Sequence, residues 1–360
     1  MRLVRGCASS HKMFRCSFIC AKNSVVSFYK IDATVIFARL LSSLEPKINT
    51  SGEEKPYTNL CPWKSKRELT EYLLRNTIYN ENGLIALNKP YGLGIQPPSK
   101  LRDTRITTAI PNSENYTIAE VLPLLGNNYG VDRLMIVKSP EKYSSGITLL
   151  ATSNEVFEKV VKCKRRDLAS VRLTSKYLAV VVGQPKVSLK NETVNYLLVK
   201  SPDGKSKQPI VQDFTAKQIG SEKERKVRVA YNTISHGSST CLVEIKPSTT
   251  RWHFLRVYLS HLLSPVLGDN LYSSRVTSFM GVTVAANPFN NFRRPQILGQ
   301  EILEVLNVSP EEEHIIPCHI HLQEVVLTSF HKNKTDLTIL APPPSYFQWT
   351  CEKLNLKIKN

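Results

Sequence analysis

From Ser65 onward the chain alternates between stretches whose apolar residues repeat at helical spacing and shorter stretches in which β-branched residues cluster or alternate with polar ones. Leu69, Tyr72 and Leu73 share one face of a helix that starts near Ser65, with Ser65 placed to cap it and Glu68 three residues on. The run Gly83-Leu-Ile-Ala-Leu-Asn88 predicts a strand, ended by a turn at Lys89-Pro-Tyr-Gly. Further strands are predicted over 134–137, 147–151, 178–183, 227–234 and 241–245. Between them, 154–162 carries Val156, Phe157, Val160 and Val161 behind an acidic first turn, the signature of an amphipathic helix. Residues 252–263 are apolar nearly all round and predict a helix buried on the sheet, whereas 98–118 are polar and irregular and predict a loop. Several strands with a few helices imply an α+β fold, a largely antiparallel mixed sheet with flanking helices.

The ends of the chain change this picture. The first 31 residues hold six Lys and Arg and no acid, among Ser and scattered apolar residues, so 1–47 reads as a mitochondrial transit peptide and the protein as one of the mitochondrial matrix. Residues 48–61 are polar and rich in breakers, a linker ahead of a folded body over 62–355. No window holds the 18 or so consecutive apolar residues of a membrane span. Of the net charge of +18, the first 47 residues supply +6, with eight bases against Asp32 and Glu45, so the body keeps +12 of its own. Such a body favours a polyanionic partner, because each phosphate neutralised by Lys or Arg releases counterions. The eight cysteines form no CxxC pair and no finger spacing, so no metal site is expected.

Four segments carry chemistry: Leu84-Ile-Ala-Leu-Asn-Lys-Pro-Tyr-Gly-Leu93; Lys138-Ser-Pro-Glu-Lys-Tyr-Ser-Ser-Gly146; Lys176-Tyr-Leu-Ala-Val-Val-Val-Gly183; and Arg251-Trp-His-Phe-Leu-Arg-Val-Tyr-Leu, running on to Gly268-Asp-Asn-Leu-Tyr272. In order and spacing they resemble the motifs of the RluA-type RNA pseudouridine synthases, and most nearly a mitochondrial subgroup of that family. The resemblance implies the pseudouridine synthase fold and the cofactor-free isomerisation of uridine to pseudouridine in mitochondrial RNA, messenger RNA first and ribosomal RNA second. A family aspartate attacks the nucleoside, the glycosidic bond breaks, the freed base turns, and C5 replaces N1 at C1′.

Carried over residue by residue, the resemblance makes Glu141 the carboxylate, Arg256 its salt-bridging arginine and Tyr177 the ring stacked on the flipped base. Glu141 departs from the family's aspartate, and one added methylene displaces the carboxylate by about 1.5 Å. Two readings therefore stand: an active synthase, or a synthase-like RNA-binding scaffold in mitochondrial RNA metabolism, with RNA-granule or ribosome-assembly proteins as possible company. Lys164, Arg165 and Arg166 on the helix over 154–162 and its exit, Lys226 on a predicted hairpin, and Arg251 and His253 before the last helix are the expected RNA contacts, positioning phosphates without reading bases.

Overall fold

The computed structural model describes residues 56–96, 116–185, 187, 189–202, 204, 207–212, 223–289 and 295–358. The expected transit peptide, most of the linker and the loop expected over 98–118 lie outside the described residues, apart from 116–118. The end of the linker is corrected. Tyr57 is buried at 2% exposure and its hydroxyl meets Thr350 Oγ1 at 2.7 Å, so the packed body begins before residue 62.

Helix α1 (Lys66–Arg75) is capped as its sequence predicts, Ser65 Oγ accepting from the Glu68 amide at 3.2 Å, and it buries Leu69, Thr70 and Leu73. A second helix, α2 (Ile118–Tyr129), is not visible in the apolar pattern. It starts on a Thr117–Glu120 capping box, stops where Gly130 takes a left-handed conformation, and buries Ile118, Val121 and Leu125 beside α1. These two helices cover β2 (Leu84–Lys89) and its neighbours, forming a small apolar cluster with Trp63, Ile85, Leu87 and Leu150.

The main sheet runs β1 (Thr77–Glu81), β2, β4 (Ser145–Ala151), β12 (Ile320–Leu327), β5 (Ser175–Val182), β9 (Thr240–Pro247), β8 (Lys223–His236), β6 (Leu189–Lys200), β7 (Lys207–Gln212). Short strands β3 (Met135–Lys138) and β13 (Leu337–Leu340) branch off β4 and β12 respectively, and β10 (Val276–Phe279) pairs with β11 (Val282–Ala285) in a separate hairpin. Among the described residues every pairing between these strands is antiparallel except one. β4 and β12 run parallel and touch only where Ser145 and Gly146 face His321 and Leu322. At that seam Gly146 has φ +113, and a Cβ there would stand 2.3 Å from the Leu322 carbonyl oxygen, so no other residue fits. Helix α3 (Asn154–Ala169) runs on beyond the stretch predicted for it and buries Val160, Cys163 and Asp167.

The helix expected over 252–263 is also corrected. A 3-10 turn, Arg251–His253, precedes α4 (Phe254–His261), and between them Trp252 and His253 both hold left-handed backbone, φ +57 and +60. Two such residues in succession cost on the order of 1–2 kcal/mol each. The surroundings hold them there: the Tyr196 hydroxyl donates to the Trp252 carbonyl, and the Arg225 guanidinium lies 4.9 Å from the Trp252 ring. Among the described residues no helix is long and apolar enough to cross a membrane.

Candidate active site

The loop between β3 and β4 carries Glu141, and α4 faces it across the seam. A small pocket opens between them, lined by Glu141, Ser144, Tyr177, Thr250, His253 and Arg256, with Leu255 and Ile320 as its apolar wall. The three residues expected to carry the chemistry are thus brought to one cavity from a loop, a strand and a helix far apart in sequence. Tyr177, on β5, is 3% exposed, and its phenol bonds the Thr250 side chain; burial raises its pKa, so it presents a neutral ring and hydroxyl. Arg256 is 2% exposed on α4, its guanidinium 5.8 Å from the Tyr143 ring and 5.2 Å from the Tyr272 ring.

The charge pairing differs from the one expected. Arg256 donates through Nη2 to Asp269 Oδ1, not to Glu141, and both partners are buried, at 2% and 0%. Asp269 sits in a tight turn: a Cβ on Gly268 would stand 2.1 Å from the Pro317 carbonyl oxygen, and Asp269 Oδ1 also accepts the amides of Leu271 at 2.9 Å and Tyr272 at 3.0 Å. The adjacent guanidinium outweighs the desolvation that would raise it, and holds the Asp269 carboxyl below its ordinary range. Glu141 takes another partner. Its Oε2 lies 2.7 Å from His253 Nδ1, the two side chains being 28% and 40% exposed. Arg256 Nε and Nη1 have no hydrogen-bond partner among the described residues, so the buried guanidinium keeps donors in reserve beside the pocket.

Lys89 is a contributor that the motifs mark only as part of a turn. Its ammonium, 1% exposed, donates to the carbonyls of Pro90 and Leu93 at 3.1 Å each and of Ser144 at 2.6 Å, tying the turn after β2 to the loop that bears Glu141. Burial lowers its pKa to about 7. The only advance signal is an Asn-Lys-Pro step ending an apolar strand.

The expected RNA contacts divide. Lys164 is turned inward: its Nζ donates to the Val137 carbonyl at 3.2 Å, and burial lowers its pKa to about 8. Arg166 donates to the Thr328 carbonyl at 2.8 Å, clamping α3 to the end of β12. Lys164 is half-buried and braces the fold, whereas Arg166 makes its backbone contact while remaining exposed. Arg165, Lys226 and Arg251 are exposed. His253 is drawn into the pocket instead.

One pocket thus gathers a loop carboxylate, a helix arginine and a strand tyrosine on a largely antiparallel sheet. Residues 83–261 match the family model described as RNA pseudouridylate synthase, and the chain belongs to that family. It is 29% identical over 310 residues to the human mitochondrial mRNA pseudouridine synthase RPUSD3, spanning 85% of this chain and 84% of that one. To the zebrafish (Danio rerio) mitochondrial pseudouridylate synthase RPUSD4 it is 26% identical, over 88% of this chain and 83% of the other. The solved structure of human RNA pseudouridylate synthase domain containing 4 superposes with a TM-score of 0.61 at 24% identity, over 82% of this chain and 98% of that one, and shows the same fold.

Proposed function

We propose that this protein isomerises uridine to pseudouridine in mitochondrial RNA, messenger RNA first, using Glu141 as the carboxylate. The observation that supports it most is the pocket itself: a partly exposed carboxylate, a buried arginine with spare donors and a buried tyrosine face one cavity, although the carboxylate belongs to a glutamate. The relatives named for mitochondrial messenger RNA support the substrate class, and the basic body supports a polyanion.

The reaction needs no external reactant. Glu141 engages the ribose, the C1′–N1 bond breaks, the base turns, the C1′–C5 bond forms, and the proton lost from C5 is balanced by one gained at N1. Tyr177 would lie against the flipped base, whose removal from its stack costs roughly a few kcal/mol unless the target is already unpaired. Arg256 would offer Nε and Nη1 to negative charge appearing in the pocket. Arg165, Lys226 and Arg251 would meet phosphates, Arg251 standing next to the pocket. A matrix location, and proteins of RNA granules or ribosome assembly as neighbours, go with this substrate.

The test is release of tritium from C5-labelled uridine in mitochondrial transcripts by the purified protein. Activity in the parent and its loss in Glu141→Ala are expected. A parent that binds transcripts without releasing label would leave the scaffold reading standing, and an active Glu141→Ala would remove the carboxylate from the mechanism.

A further inference from the structure

We infer that His253 is a positioning residue for Glu141: it, rather than Arg256, aims the reactive carboxylate, and the left-handed kink before α4 exists to bring it there. The inference rests on the proposed isomerase reading for its catalytic consequence, but not for the pairing itself.

Three observations converge. Arg256 spends its Nη2 donor on Asp269, which a tight turn holds in place, and none of its donors bonds Glu141. Among the described residues, the side chain that meets the Glu141 carboxylate within hydrogen-bonding reach is His253, at 2.7 Å. Its position is the outcome of a backbone that no helix would choose: Trp252 and His253 sit at φ +57 and +60, pinned by the Tyr196 hydroxyl on the Trp252 carbonyl and by Arg225 against the indole. Strain of this kind persists only where neighbours over-determine it, and it collects at functional sites.

The length of Glu141 fits the same account. A glutamate carries its carboxylate about 1.5 Å further than an aspartate, and here that reach is what meets the imidazole. On its other side the His253 ring lies 5.8 Å from Tyr272, which Arg256 and Arg275 flank at 5.2 and 4.7 Å. His253 thus meets the carboxylate through Nδ1 and has the Tyr272 ring as its aromatic neighbour.

Two readouts test this together. In the tritium-release assay His253→Ala should lower kcat by about 100-fold, the cost of misplacing a reacting group by about 1 Å, with RNA affinity and its salt slope unchanged. His253→Asn, which keeps a donor near the Nδ1 position, should recover most of the loss, and Glu141→Asp, which withdraws the carboxylate from the imidazole, should fall with His253→Ala. Loss of RNA affinity at unchanged kcat would overturn the inference and make His253 a phosphate contact, and full activity of His253→Ala would overturn it outright. Independently of turnover, nitrogen-15 NMR of the full-length protein should show the His253 Nδ1 resonance move in Glu141→Gln. An inactive parent with that shift present would retain the pairing and remove the isomerase reading, and an unmoved resonance would remove the pairing.

Discussion

At the scale of single residues, the buried Arg256–Asp269 pair makes the strongest demand. Motif resemblance alone makes Arg256 an active-site group that can be removed without harm to the fold, but its burial at 2% against an Asp269 at 0% says otherwise. Deleting one partner leaves an uncompensated charge in the interior, at a cost of about 3–5 kcal/mol. Asp269→Asn, and likewise Arg256→Leu, should therefore lose about that much stability in urea unfolding, whether or not either variant is assayed for activity. A loss below about 1 kcal/mol would mean that water reaches the pair. The same logic separates Lys164 and Arg166 from Arg165: the first two donate to backbone carbonyls of β3 and the segment after β12, so neutralising them perturbs packing before it perturbs RNA binding.

At the scale of elements, the site depends on one short parallel contact. β4 starts soon after Glu141, at the end of the same loop, and its first residues meet β12 at Ser145 and Gly146 alone. Gly146→Ala must push a Cβ against the Leu322 backbone and take φ +113, which an L residue rarely adopts. We expect that variant to lower the melting temperature sharply, with a loss above about 4 kcal/mol or failure to fold, whereas Gly130→Ala, at a helix end with nothing within 4 Å of the added carbon, should cost only about 1 kcal/mol. Comparable losses at the two positions would show that the seam can open.

At the scale of the whole molecule, two titrations bear on stability. His319 and His321, both fully buried beside the seam, are held neutral: burial lowers each pKa to about 4. His321 meets Ser145 Oγ through Nδ1 at 2.9 Å and the Ala341 carbonyl through Nε2 at 3.0 Å, so the Nε2 proton goes to the carbonyl and Ser145 donates to Nδ1. The folded pKa values lie below the ordinary value of about 6.5, so the unfolded chain takes up the protons first. The histidine contribution to stability is essentially complete above about pH 6.5 and falls as pH drops toward 4, by about 1.36 kcal/mol per unit for each ring. Urea unfolding should accordingly show a loss of roughly 3–4 kcal/mol between about pH 7 and pH 5, and a flat profile would mean that the rings are solvated. RNA binding belongs to this scale as well. Neutralising Arg165, Lys226 and Arg251 together should weaken binding to unrelated transcripts alike and reduce the log–log salt slope by ~0.7 for each phosphate that no longer meets a cation; an unchanged slope would make them an ordinary solvated face.

Local pattern alone accounts for a good part of this protein. The α+β class, the strands beginning near 84, 147, 178 and 241, the Ser65 cap and the four motif segments are legible because period-2 and period-3.6 alternation and turn chemistry are properties of neighbouring residues. Strands β6, β7 and β12 escape that reading, and α2 is hidden by a Pro and a Gly inside it. The motifs point to Glu141, Tyr177 and Arg256, and the fold does bring them to one pocket. Which charges pair is settled only in three dimensions. Asp269 lies 13 residues beyond Arg256 and Glu141 lies 112 before His253, and a backbone kink of two residues chooses between those partners. Pairing across such separations is set by side-chain reach and burial in the assembled core, which no local periodicity encodes.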